Sequence, residues 1–153
     1  MRRFGLACLG IAAAAAVAAP ALAGAATPTP PRTALQRFAC HRASNSLNRW
    51  IEVTAVMRPI SGTKRMQMKF QLLRKGPRRN AFVDVSSGDL GKWIHPTNPP
   101  TLGQRAGDVW SVRKPVVNLS APATYRLKVT FQWLGSGTKP LGTAKQQTRD
   151  CAQ

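Results

Sequence analysis

Tyr125-Arg126-Leu127-Lys128-Val129-Thr130-Phe131-Gln132-Trp133 is the stretch on which the fold of this chain turns. Each odd-numbered residue is large and apolar, and each even-numbered one is charged or polar. Side chains of an extended chain point alternately to opposite faces, so the pattern describes a strand with one face in a core and the other in water. A helix would scatter the same apolar side chains around its circumference. Met66, Met68, Phe70 and Leu72 alternate in the same way with Arg65, Gln67, Lys69 and Gln71. Ile51, Val53, Ala55 and Met57 do so with Glu52, Thr54 and Arg58. Between these last two stretches, Pro59-Ile60-Ser61-Gly62-Thr63 has the chemistry of a turn.

Outward from these three strands the signals weaken. Residues 81–85 and 109–119 read as further strands, the second interrupted at Pro115 by a bulge or a switch of sheet. Residues 143–151 read as one edge strand, where Lys145, Gln147 and Arg149 discourage further pairing. A short strand is expected around 38–42. No stretch after the N-terminal apolar run has helical spacing with caps. Six or seven strands over residues 38–153 predict an all-β fold, an antiparallel sandwich of two sheets.

The N-terminal segment has another character. Met1-Arg2-Arg3 is followed by an almost unbroken apolar run to Ala19, then Pro20, then Ala21-Leu22-Ala23. That is the layout of a secretory signal, and 1–26 is read as a cleaved signal peptide rather than a membrane anchor, the run being short and weak in Leu and Ile. No membrane span is then expected in the remainder. Residues 27–37, opening Thr27-Pro28-Thr29-Pro30-Pro31, read as an extended tether. Export places Cys40 and Cys151 in an oxidising compartment, where a pair without a CxxC spacing favours a structural disulfide tying the first and last elements together. The expected location is secreted or associated with the cell envelope.

Leu119-Ser120-Ala121-Pro122-Ala123-Thr124-Tyr125 resembles the entry to strand F of fibronectin type III and related bacterial immunoglobulin-like domains. There a Leu, a Pro-containing corner and a Tyr opening an alternating strand recur as a tyrosine corner. The resemblance implies an immunoglobulin-like sandwich in which the Tyr125 hydroxyl bonds back to the upstream corner. It also implies that Trp50, at the start of its strand, packs in the core. Ala123 departs from the family, standing where a turn glycine is common, and an end-to-end disulfide is not a fibronectin feature. The chain as a whole is similar to small secreted bacterial proteins of unassigned function, which implies no activity.

Charge sets the functional expectation. The 153 residues hold 23 Lys+Arg against 5 Asp+Glu and 2 His, a net +18. So few carboxylates and histidines argue against paired-carboxylate acid/base catalysis and against His/Asp/Glu metal centres. No cofactor and no metal site are expected. In an immunoglobulin-like order the strands at 64–74, 124–134 and 143–151 would be neighbours. Their outward positions would then form a basic face carrying Arg65, Lys69, Arg126, Lys128 and Lys145, with no carboxylate among them. Such a face attracts phosphate, sulfate or carboxylate polymers, or an acidic protein, by counterion release, against the simpler reading of a solvated face that only keeps the protein in solution. Without a regular aromatic interleave it does not read as a sequence-specific nucleic-acid module.

The loop 86–107, broken repeatedly by Gly and Pro, is the alternative site. Trp93 and His95 there offer a stacking platform for a sugar or an anchor for a hydrophobic ligand, against the simpler reading that Trp93-Ile94 plugs the loop onto the sandwich edge. Ser86, Asp89 and His95 lack the nucleophile elbow or oxyanion signature that a hydrolase needs, so the chain is not read as an enzyme. The expectation is a non-catalytic interaction module. The alternatives are a carbohydrate or hydrophobic-ligand binder using loop 86–107, and a structural or accessory domain with no ligand of its own.

Overall fold

The computed structural model of the chain describes residues 29–137 and 139–153; the expected signal peptide at 1–26 and the opening of the tether lie outside them. Among the described residues there is no α-helix, and no helix long and apolar enough to cross a membrane. Nine strands run in chain order as β1 (Thr33–His41), β2 (Trp50–Met57), β3 (Arg65–Lys75), β4 (Val83–Val85), β5 (Trp93–Ile94), β6 (Trp110–Val117), β7 (Thr124–Leu134), β8 (Pro140–Gln147) and β9 (Cys151–Ala152). They form two antiparallel sheets. The smaller has the order β1-β2-β6, the larger β4-β3-β7-β8, with β5 added to β3 and β9 to β7. The count exceeds the expected six or seven because β5 and β9 are two-residue pairings on sheet edges, too short to show a period.

The core lies between the sheets and is built by parity. The alternating apolar residues of β2, β3 and β7 are buried, with Ile51, Val53, Met57, Met66, Met68, Leu127, Val129 and Phe131 fully excluded from solvent. β3 and β7 pair without a slip from Arg65↔Leu134 to Lys75↔Thr124, so both apolar sets face the same way along eleven residues. The ring polar groups that enter the core with Trp133 and Tyr125 are satisfied. The Trp133 indole N–H donates to Arg58 O at 2.7 Å. The Tyr125 hydroxyl donates to Ser120 O at 2.9 Å, the bond expected of the corner. Tyr125 itself is buried, so an unpartnered hydroxyl there would carry a desolvation penalty.

Several expectations need correction. Trp50 is not a core residue. Ile51, Val53 and the rest of that set face inward, so Trp50 points outward by parity and stacks on His41, its cross-strand partner, at 5.5 Å between ring centroids. The tryptophans in the core are Trp110 and Trp133. Pro115 interrupts nothing, since β6 pairs with β2 in continuous register through Glu52↔Pro115. β6 is the edge of its sheet, and an edge strand accepts a proline whose missing N–H would face away from the partner.

The tether is also shorter than expected, because β1 begins at Thr33. It carries a bulge between Gln36 and Ala39, where Arg37 takes φ 50°, and beyond the bulge its side chains are re-aimed so that Leu35, Phe38 and Cys40 all reach the core cluster. An extra residue in one strand defeats a period-two reading. The expected single strand at 143–151 is likewise two. β8 ends at Gln147 opposite Lys128, and β9 resumes at Cys151 opposite Tyr125, with one residue more on this side than on β7. Thr148 fills the gap, its hydroxyl accepting the Leu127 N–H at 3.0 Å.

Cys40 and Cys151 are disulfide-bonded, with Cα atoms 5.6 Å apart. The bond joins β1 of one sheet to β9 of the other and closes a separation of 111 residues. On that side the sheets also meet at Gln146, whose amide donates to Thr33 O at 3.1 Å. On the opposite side they are spanned by an ion pair. Lys114 sits opposite the inward-facing Val53, and its ammonium reaches Asp89 in the turn after β4 at 2.5 Å. An inward-directed charge of this kind discourages further strand pairing on an edge.

Candidate functional site

The polar alternates of β3, β7 and β8 form the outer face of the larger sheet. Register sets them in rows across the strands. Thr143, Gln132 and Gln67 make one row; Lys145, Thr130, Lys69 and Trp93 make the next; Gln147, Lys128 and Gln71 make the third. Neighbouring strands are about 4.8 Å apart and alternate residues about 6.8 Å, so the backbones of Lys69, Lys128 and Lys145 lie within about 10 Å of one another. They surround Thr130, which is itself buried. In the first row Gln67 donates to Gln132, and Gln132 in turn reaches the Thr143 hydroxyl at 3.5 Å, holding three strands in one ordered line. Arg65 stands exposed at the end of this face.

Of the five cations expected here, the structure brings Arg65, Lys69, Lys128 and Lys145 together without an ion pair among the described residues, and sets Arg126 apart. Arg126 is hydrogen-bonded to Asp150 and its guanidinium lies over the Phe82 ring at 4.4 Å. That bond raises the pKa of Arg126 and lowers that of Asp150. The expectation of a carboxylate-free face is thereby corrected. Asp150 binds Arg126 at one end of it, and Asp84, opposite Leu73, accepts from the Gln71 amide at 3.2 Å. Neither aspartate shows its partner in the local sequence, since Asp84 meets Gln71 across 13 residues and Asp150 meets Arg126 across 24.

The remaining carboxylates are engaged elsewhere. Glu52 pairs with Arg113 at 2.7 Å on the outside of the smaller sheet. Asp89 is held below its ordinary pKa by the hydrogen bond from Lys114. Asp108 accepts the Gly103 and Arg105 backbone N–H groups at 2.7 and 3.1 Å and organises the last turn of the long loop; those bonds lower its pKa. Lys69, Lys128 and Lys145 are thus grouped on one face, with Asp84 and Asp150 at one end of it and the other three acids off it.

The loop residues join this face. β5 pairs Trp93 with Lys69 and Ile94 with Met68, so Ile94 packs toward the core and Trp93 lies outward beside the lysines, 39% exposed. The Lys69 ammonium stands 4.8 Å from the centroid of the Trp93 ring. His95, Pro96 and Pro100 meet Arg65, Gln67 and Leu134 around a groove of about 280 Å³. The plug reading of Trp93-Ile94 and the ligand-loop reading therefore describe two sides of one short strand. No hydrogen bond links Ser86, Asp89 and His95 among the described residues, and the Asp89 carboxylate is taken by Lys114. No three His, Cys, Asp or Glu side chains gather at one point among those residues.

A further cationic cluster lies outside the expected sites, although Arg74-Lys75-Gly76-Pro77-Arg78-Arg79 is visible in the sequence as a charge run. It forms the hairpin between β3 and β4. Comparison with protein-family models, with curated proteins and with solved structures found no match.

Proposed function

We propose that the protein is an exported, non-catalytic binding module that holds an anionic polymer against the outer face of its larger sheet. The observation that carries this reading is the grouping of Lys69, Lys128 and Lys145 around Thr130 without an ion pair among the described residues, while three of the five carboxylates bind other cations. Cations neutralised by neighbouring acids would leave little field, whereas an uncompensated group concentrates counterions that a polyanion can displace. Export rests on the character of segment 1–26 and on the Cys40–Cys151 bond, which belongs to an oxidising compartment. An immunoglobulin-like identity for the domain is supported by the corner bond of Tyr125 and by the neighbour order β3-β7-β8.

The second reading, a sugar-binding loop, meets the first at Trp93. An exposed indole beside an ammonium and a line of glutamine amides suits a chain with ring faces, hydroxyls and acid groups, which favours an acidic polysaccharide over a polyphosphate. The test is retention on an immobilised sulfated polysaccharide such as heparin as salt is raised. The triple variant Lys69→Gln, Lys128→Gln, Lys145→Gln should elute at much lower salt, and Trp93→Ala should weaken retention without changing its salt dependence. Elution of the triple variant with the unaltered protein overturns the proposal.

A further inference from the structure

The hairpin between β3 and β4 places four of the chain's basic side chains within six residues, Arg74, Lys75, Arg78 and Arg79. Its turn is ordered: the Arg79 N–H donates to Gly76 O at 3.1 Å, and Pro77 restricts the backbone between them. Arg78 and Arg79 stand exposed on it. Arg74 continues the inward-facing series Met66, Met68, Phe70, Leu72, opposite Val83 and Tyr125, at the end of the core. Its Nε is buried and has no hydrogen-bond partner among the described residues. Arg74, Gly76, Pro77, Arg78, Arg79 and Val83 line one recess of about 550 Å³.

The other cations near this hairpin face different groups. Lys75 and Arg126 both lie over Phe82, on the opposite side of the strand, and Asp150 takes the Arg126 guanidinium. None of the five carboxylates lines the recess. Three arginines therefore line one concave surface with no carboxylate on its lining, and Arg74 among them carries a buried N–H lacking an acceptor among the described residues. A buried donor without a partner is costly, and an oxyanion that entered the recess would relieve it. Guanidinium forks match the paired oxygens of a tetrahedral anion, which distinguishes this cluster from the lysine face, where the charges are compact points.

We propose that this recess is a phosphate site, in which Arg74, Arg78 and Arg79 hold a phosphoryl group, free or at the end of an ester. It is separate from the polymer face, since Asp84 and Asp150 lie between the two groups of cations.

The experiment follows the Arg74 Nε–Hε resonance of the full chain by NMR while inorganic phosphate replaces chloride at constant ionic strength. The resonance should shift saturably. Arg78→Gln/Arg79→Gln, both exposed and outside the core, should weaken the phosphate affinity by about ten-fold or more. The lysine triple variant should leave it within about two-fold, so that failure of this site and failure of the polymer face are told apart. A parallel flotation assay uses phosphatidylcholine vesicles doped with phosphatidic acid or with phosphatidylglycerol. Capture by phosphatidic acid alone supports the site and assigns its phosphate to a lipid headgroup. A saturable phosphate shift without vesicle capture supports the site and assigns it to a soluble phosphate. An unmoved Arg74 resonance, a shift that chloride reproduces, or an affinity unchanged in the double arginine variant overturns the proposal.

Discussion

Arg126 and Lys128 stand two residues apart on one strand and point to the same side of the sheet, yet only Lys128 is left without an acidic partner. Their replacement therefore measures whether the face acts through its unpaired cations. Arg65, Lys69, Lys128 and Lys145 are unpaired, and each polyanion contact contributes about −0.7 to −0.9 to the slope of log affinity against log salt. Four contacts give a slope of roughly −3, or about a 60-fold loss of affinity between 50 and 200 mM salt. Lys128→Gln should reduce that loss to about 20-fold over the same range.

Arg126→Gln made together with Asp150→Asn removes a cation and its partner, leaves the net charge unchanged, and should keep the loss near 60-fold. Making the two changes together avoids exposing an unpaired aspartate that would repel the ligand. The assay is a titration of a labelled heparin oligosaccharide at four or more salt concentrations. A paired variant that loses as much slope as Lys128→Gln would show that Arg126 contacts the polymer despite Asp150. An unaltered protein with a slope near zero would refute the electrostatic reading altogether.

Other outcomes follow from the fold. Replacing Cys40 and Cys151 by alanine releases a 111-residue separation, which the chain-entropy relation converts to about 5 kcal/mol and a fall in Tm on the order of 15–20 °C, read by circular dichroism. A fall of only a few degrees would mean that the unfolded chain is little constrained by the bond. Gly103 has φ +103°, and a Cβ there would lie 2.7 Å from Met66 Cε and 2.8 Å from its Cγ, so Gly103→Ala should cost about 2–4 kcal/mol in denaturant unfolding. An unchanged midpoint would show that fully buried Met66 can move aside. Asp108 has a depressed pKa in the folded state, so its support of the 103–108 turn is present above the ordinary carboxyl value of 3.8 and is lost as pH falls below it. Protection of the amides in that turn, taken relative to their intrinsic exchange rate at each pH, should fall in acid, and Asp108→Ala should show the lower protection already at neutral pH.

The alternating stretches of β2, β3 and β7 were legible because each has one wet face and one dry face, and that contrast is written residue by residue. The same alternation placed Lys69, Lys128 and Lys145 on one side of the sheet. It also contained the answer for Trp50, whose parity opposes Ile51 and Val53; the family resemblance pointed the other way, and parity prevailed. The bulged strand β1 and the divided run β8–β9 escape the pattern at their bulges, where one extra residue inverts the phase and the period no longer predicts the face. β5 was invisible as a strand, because two residues carry no period.

Composition and alternation were enough for an all-β chain with a basic surface, because the partition of apolar and polar side chains between core and water is a local property of each strand. Which charges remain available was not a local property. Arg126 finds Asp150 across 24 residues and Lys114 finds Asp89 across 25, through strand pairing and the closure of one sheet over the other. Trp93 comes beside Lys69 for the same reason, whereas Arg74, Arg78 and Arg79 are already neighbours within one hairpin. Long-range register, fixed by the burial of the opposite face, brings outward side chains together whose own sequence neighbours hold no record of the meeting.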